Sequence, residues 1–147
     1  MEKIESFKID HTKLQPGFYL SRTDGDIFTY DMRVKKPNTA PLLSNSELHS
    51  FEHMFATIIR NSEIKNDVIY FGPMGCQTGF YLLVRGAAHD RVIAAVGKAL
   101  SDILAYQGEV FGRSAVECGN YMNLSLESAK RVAREYASVF TGLNIYE

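Results

Sequence analysis

The 147-residue sequence has almost no surplus of charge, only two cysteines, and no apolar run long enough to span a membrane. It carries 16 basic and 17 acidic residues, a formal net charge of -1. Electrostatic attraction to nucleic acid or to an acidic membrane surface has no basis in such a balance. The eight tyrosines and nine phenylalanines are scattered and do not alternate with basic residues, which excludes an aromatic platform for single-stranded nucleic acid. Two cysteines, Cys76 and Cys118, cannot build a disulfide framework. In a chain whose charged N-terminus, Met1-Glu2-Lys3-Ile4-Glu5, leads into no apolar signal segment, they point to thiol chemistry or metal ligation in the cytoplasm. Neither internal repeats nor low-complexity segments occur, and a single domain over residues 1–147 is expected.

What is present is an ordinary globular pattern, 46% hydrophobic and 22% charged. Ile4 to Asp10 reads as a short strand. Phe18 to Arg22 and Ile27 to Val34 read as a hairpin about an Asp24-Gly25 turn. Pro37 and Pro41 mark Lys35 to Asn45 as a loop. Ser44-x-x-Glu47 is a capping box, so a helix is expected from about Asn45 to Asn61. Asp67 to Phe71 and Thr78 to Arg85 read as strands joined by the tight Gly72-Pro73-Met74-Gly75-Cys76 connection. His89 to Tyr106 has helical spacing, with Val92, Ile93, Val96, Leu100 and Leu104 on one stripe. Ala115 to Cys118 reads as a further strand. Leu126 to Phe140 reads as a last helix, with Ser125 before it and Gly142 behind. Hairpin-like links between most strands predict an α+β fold with an antiparallel sheet.

The chemistry concentrates in His49-Ser50-Phe51-Glu52-His53, an H-x-x-E-H pattern inside the helix with the capping box. Residues four apart on a helix lie one above the other, so both imidazoles can face one ion. Glu52 reaches the same face and sets an acid/base group beside a Lewis acid. The pattern is the inverted zinc motif. It supplies two ligands where a site needs at least three; Cys118, Cys76, His11, His89 and Glu127 are the candidates for the third. Each cysteine is next to a glycine, in Gly75-Cys76 and Cys118-Gly119, and either could serve as soft ligand or as proton-transferring thiol.

Beyond the helix, the sequence resembles the S-ribosylhomocysteine lyase (LuxS) family from about Ser6 to Gly119. The resemblance is carried by Ser6-Phe7 with Asp10-His11, by Asp31-Met32-Arg33 with Pro37-Asn38, and by His49-x-x-Glu52-His53 with Arg60. It is densest in Pro73-Met74-Gly75-Cys76-Gln77-Thr78-Gly79-Phe80-Tyr81 and closes on Cys118-Gly119. It implies that His49, His53 and Cys118 hold the metal and that Cys76 and Glu52 transfer protons. It implies that Ser6, His11 and Arg33 meet the ribose and that Arg60 lies near the homocysteine end of the substrate. Arg60 is seven residues after His53, roughly 10 Å along a helix, which suits an extended substrate.

The resemblance further implies ferrous iron, which zinc or cobalt can replace, and a homodimer with its active sites at the subunit interface. The implied fold is an α+β sandwich related to that of the inverted-zinc-motif proteases. The implied reaction is a carbon–sulfur lysis without net redox change. Two carbonyl migrations and a β-elimination would release homocysteine and a dihydroxypentanedione, the precursor of autoinducer-2. Two positions depart from the pattern. Many members have an Asp two residues before the serine of Ser-Pro-Met-Gly-Cys; Tyr70 and Gly72 stand in those places. The alternative reading is an inverted-motif zinc metallopeptidase, in which a carboxylate such as Glu127 joins the two histidines and Glu52 activates water. A non-catalytic metal-binding protein is a third.

Overall fold

A computed structural model describes all residues, Met1–Glu147. Four strands, β1 (Gly17–Asp24), β2 (Ile27–Arg33), β3 (Val68–Pro73) and β4 (Gly79–Arg85), form one sheet in the order β1-β2-β4-β3. Every neighbouring pair is antiparallel. Three helices pack with it: α1 (Asn45–Ile59), α2 (His89–Ala105) and α3 (Leu126–Ala137). The α+β class and the antiparallel sheet agree with the hairpin-like spacing of the strands. None of the helices is long and apolar enough to cross a membrane.

Alternation along the strands decides which face meets the helices. Phe18, Tyr30, Met32, Phe80, Leu82 and Val84 are fully or almost fully buried against them. On α1, Phe51 and Phe55 stack at 5.4 Å and meet Phe71 of β3 at 6.0 and 4.5 Å. This apolar cluster fixes the roll of α1, and so aims its opposite side, with His49, Glu52 and His53, out of the core. Offset and edge-on aromatic pairs of this kind add about 0.5–1.5 kcal/mol each beyond their buried area. The α2 stripe is slightly rotated from the expected one: Ala95, Ala99 and Ile103 are buried with Val92, Val96 and Leu100, while Ile93 and Leu104 are only partly covered.

Two expected strands are absent. In Ile4 to Asp10 the chain forms a 3₁₀ turn at Glu5–Phe7, closed by Phe7 N–H to Ile4 O and Lys8 N–H to Glu5 O. The segment has no neighbouring strand to complete a ladder. Ala115 to Cys118 is a turn, in which Cys118 N–H donates to Ser114 O and Glu117 N–H to Ser114 Oγ. A serine that bonds its own downstream amides offers the backbone an alternative to a ladder. The last helix also stops at Ala137, before Phe140. Beyond it the chain turns back along β1, where Asn144 N–H donates to Phe18 O and Phe18 N–H to Asn144 Oδ1.

Candidate active site

The capping box forms as expected: Glu47 N–H donates to Ser44 Oγ and Ser44 N–H to Glu47 Oε1. The helix that it starts brings the His49 and His53 rings to 4.7 Å, nearly perpendicular to each other. His53 Nδ1 lies 2.8 Å from Phe111 O. A carbonyl only accepts, so Nδ1 carries the proton and Nε2 keeps its lone pair. His49 Nδ1 lies 2.7 Å from Asn123 Oδ1, which selects the same tautomer. Such partners orient metal-binding imidazoles and raise their basicity.

Of the candidates for the third ligand, Cys118 is the one that arrives. Its Sγ is 3.4 Å from His49 Nε2, and one ligand atom from each of His49, His53 and Cys118 falls within 4.8 Å of the others. An ion with Zn–N or Zn–S type bonds sets its ligands roughly 3.5 Å apart, so a small closing movement of the three side chains suffices. The donor set fits the group: two neutral imidazole nitrogens and a thiol, to which Asn120 N–H already donates at 3.4 Å. The other candidates, Cys76 among them, stand outside this group. His89 Nδ1 pairs with Tyr30 Oη, His11 Nδ1 with Ile9 O, and Glu127 is exposed on the first turn of α3.

Three side chains of α1 hold the segment behind Cys118. Ser46 Oγ–H donates to Asn123 O at 2.8 Å, His49 bonds Asn123 Oδ1, and Ser50 Oγ accepts from Ser125 N–H at 2.8 Å. On the other side of the histidine pair the chain passes close at Gly112. Its φ is +74°, and a Cβ there would stand 3.0 Å from His53 Nδ1, so a side chain would crowd the ring that Phe111 O orients.

Glu52 is half-buried beside these ligands. Burial raises its carboxyl above the ordinary value, and the neighbouring His53 and His49 only partly offset that. Together with His53, Ala56, Thr57, Phe71, Phe111 and Gly112 it lines a cleft of about 350 Å³. A carboxyl made a weaker acid by burial is a better proton acceptor than an exposed one, which suits proton transfer.

Cys76 is exposed on the turn between β3 and β4, 3.0 Å from Thr78 Oγ1 and 3.9 Å from Arg33 Nη1. Arg33 is the unexpected part. A surface position would be ordinary for an arginine, yet it is only 2% exposed and pairs with Asp31 at 2.7 Å. Burial works against the cation, but the Asp31 carboxylate outweighs it and leaves the guanidinium above its ordinary value. Arg33 Nη1 also donates to Thr78 Oγ1 at 2.7 Å.

The remaining expected substrate residues are dispersed. Ser6 lines a cavity of about 390 Å³ with Tyr70, Tyr81 and Leu83, on the sheet face away from the helices. His11 follows the 3₁₀ turn and joins neither group. Arg60 caps α1 and donates to Ile69 O at 3.3 Å, beside Tyr70. Tyr70 and Gly72, the two departures, are one feature in space: a Cβ on Gly72 would collide with the Tyr70 ring and hydroxyl.

Sequence reasoning missed Asn123, Phe111 and Asp31. The first two act across long sequence separations, one of them through a backbone carbonyl, and leave no local signal. Asp31 did leave one, since residues two apart on a strand share a face.

Comparison with known proteins finds relatives over nearly the whole chain. The chain is 45% identical to an S-ribosylhomocysteine lyase of Finegoldia magna, over 97% of this chain and 94% of that protein. It is 42% identical to one of Borrelia garinii subsp. bavariensis, over 97% and 95%. It is 46% identical to one of Desulfotalea psychrophila, over 92% and 89%. The metallopeptidase alternative finds no support among these relatives, and a sulfur atom stands where it required a carboxylate. The S-ribosylhomocysteinase (LuxS) family model matches residues 4–144, and on that extent of agreement the chain belongs to this family.

Proposed function

We propose that this chain is an S-ribosylhomocysteine lyase, which cleaves S-ribosylhomocysteine to homocysteine and 4,5-dihydroxy-2,3-pentanedione. The observation that carries the reading is the convergence of His49, His53 and Cys118 beside a half-buried Glu52, in a chain of this family. His49 and His53, through Nε2, and Cys118, through Sγ, would hold a divalent ion, ferrous iron by the family resemblance. When bound, that ion supplies Lewis-acid polarisation of the sugar's carbonyl and hydroxyl oxygens.

The chain's own groups do the rest. Cys76 takes the C2 proton of the open-chain aldose as thiolate and returns a proton to C1, which moves the carbonyl to C2. A second migration of the same kind moves it to C3. Glu52 shuttles protons on the side of the sugar nearest the metal helix and removes the C4 proton next to the final ketone. The C5–S bond breaks with its electron pair on sulfur, homocysteine leaves as a thiolate that takes up a proton, and the enol left between C4 and C5 gains a proton at C5 and loses its hydroxyl proton to become the dione. Carbon and sulfur are rearranged without an external oxidant or reductant. Arg33, Ser6 and His11 contact the ribose, and Arg60 the amino-acid end. Arg33 is preorganised for this by its bonds to Asp31 and Thr78.

A homodimer is part of the proposal. Its support is the sheet face away from the helices, where Ser6, Tyr70, Tyr81 and Leu83 surround a cavity rather than a packed core. The direct test is to incubate the purified, iron-loaded protein with S-ribosylhomocysteine and titrate free thiol. Release of one homocysteine per substrate is expected; no release from metal-replete protein overturns the reading.

A further inference from the structure

One residue of the Cys76 turn holds a backbone conformation that its type does not favour. Gln77 has φ +65°, and Asn38 is the only other side-chain-bearing residue in the left-handed region. A Cβ makes that region costly, and glycine is the residue that occupies it freely. Such strain persists only where surrounding bonds hold it, and it gathers at functional sites. Around Gln77 those bonds are present. Its N–H donates to Met74 O at 3.1 Å, its carbonyl accepts from Leu43 N–H at 2.9 Å, and its side-chain Nε2–H donates to Leu43 O at 2.9 Å.

Leu43 is a fixed point. Its side chain is fully buried in the core, and Ser44, the next residue, caps α1. Gln77 satisfies both polar groups of the Leu43 backbone, one through its own backbone and one through its side chain. Cys76, by contrast, is exposed, and neither it nor Gly75 makes a backbone hydrogen bond of its own. The segment that carries the thiol therefore takes its position from its neighbours, and the residue directly behind it is Gln77. A glycine at 77 would adopt the same turn without strain but could not make the side-chain bond. The second bond to Leu43 is what a glutamine adds there.

We infer that Gln77 is a positioning residue for Cys76: its two-way bond with Leu43 clamps the left-handed link behind the thiol to the entry of α1, and so fixes where the thiol stands. The inference rests on Cys76 being the proton-transferring thiol. With the clamp released, the turn rocks about Met74 and the thiol spends less time within reach of the C2 proton. The metal ligands and the expected substrate contacts lie on other segments, so binding is left intact.

Gln77→Glu keeps the size and shape of the side chain but, ionised, has no donor for Leu43 O. Gln77→Gly removes the strain and the side-chain bond together and keeps the backbone bond. Both are measured in metal-loaded protein for steady-state thiol release, for exchange of the C2 proton in heavy water, for metal content and for urea unfolding. In both, kcat and the C2 exchange rate should fall together by about 10- to 100-fold, the scale for displacing a reacting group by about an ångström. KM, metal content and the urea midpoint should stay close to wild type. A residue that only shaped the turn would give the opposite result for Gln77→Gly, full rate with full stability. Wild-type kcat in both variants overturns the inference, and so does a loss of kcat that comes only with loss of metal or of fold. A loss in just one of the two also overturns it, since the missing bond is what they share. Cys76→Ala, run in parallel, separates the two levels. Near wild-type turnover by Cys76→Ala refutes the catalytic reading of this thiol and the positioning role with it. An inactive Cys76→Ala beside fully active Gln77 variants refutes the positioning role alone.

Discussion

Asn123 Oδ1 accepts the Nδ1 proton of His49 at 2.7 Å, so a side chain 74 residues downstream sets the tautomer of a metal-directed histidine. Asn123→Leu removes the acceptor and leaves a shape of similar size. Metal affinity, measured by competition with a chromophoric chelator, should fall by about 10- to 100-fold. An unchanged affinity would show that His49 orients itself without this partner.

Cys118→Ala should lose the metal altogether under conditions where the wild type retains it, because two imidazoles on one helix do not complete a site. Metal content after gel filtration is the measurement. Full stoichiometry at wild-type affinity would remove Cys118 from the ligand set.

Cys76→Ala and Glu52→Gln should fail at different stages while both still bind metal. With substrate followed in heavy water by NMR, Glu52→Gln should exchange the C2 proton or accumulate a keto intermediate without releasing homocysteine. Cys76→Ala should do neither. Release of homocysteine by Cys76→Ala at a near wild-type rate would return the Cys76 turn to a purely structural role.

Burial alone would raise the Glu47 carboxyl, but its hydrogen bonds with Ser44 and its pairing with Arg131 bring it below the ordinary value of 4.5. A group whose folded pKa is depressed contributes stability above its unfolded pKa and loses it as pH falls through the folded one. Glu47→Ala should therefore destabilise the protein by about 1 kcal/mol at neutral pH, the scale of a helix cap. The gap between variant and wild type in urea unfolding should narrow below about pH 4. A gap independent of pH would mean that the charge of Glu47 contributes nothing.

Sedimentation at micromolar concentration should give a two-fold species. A monomer with full activity would disprove the proposed homodimer.

The parts of the fold written in neighbouring residues were legible. Ser44-x-x-Glu47 announced α1, and the H-x-x-E-H spacing on it announced two ligands, because cap and face are both decided within a few positions. The sheet was legible where strands pair across short connections. Ile4 to Asp10 had the appearance of a strand but lacked a partner, and a strand exists only through its partner. The third ligand could not be chosen from spacing alone, since Cys118 reaches His49 across 69 residues of folded chain. Resemblance alone points to Arg33 as a substrate contact. That it is buried became visible only when Asp31 and Thr78 closed around it.

The space above Gly72 couples that position to residue 70. A Cβ at that position and the present placement of the Tyr70 ring exclude each other, whereas a glycine there asks nothing of residue 70. A glycine at 72 is compatible with an aspartate or an aromatic at 70. Gly72→Ser alone should force the half-exposed ring outward into solvent. The pair Tyr70→Asp with Gly72→Ser should fit without that displacement. The effects of the two single changes will then not sum to that of the double, as for any two residues that compete for one volume.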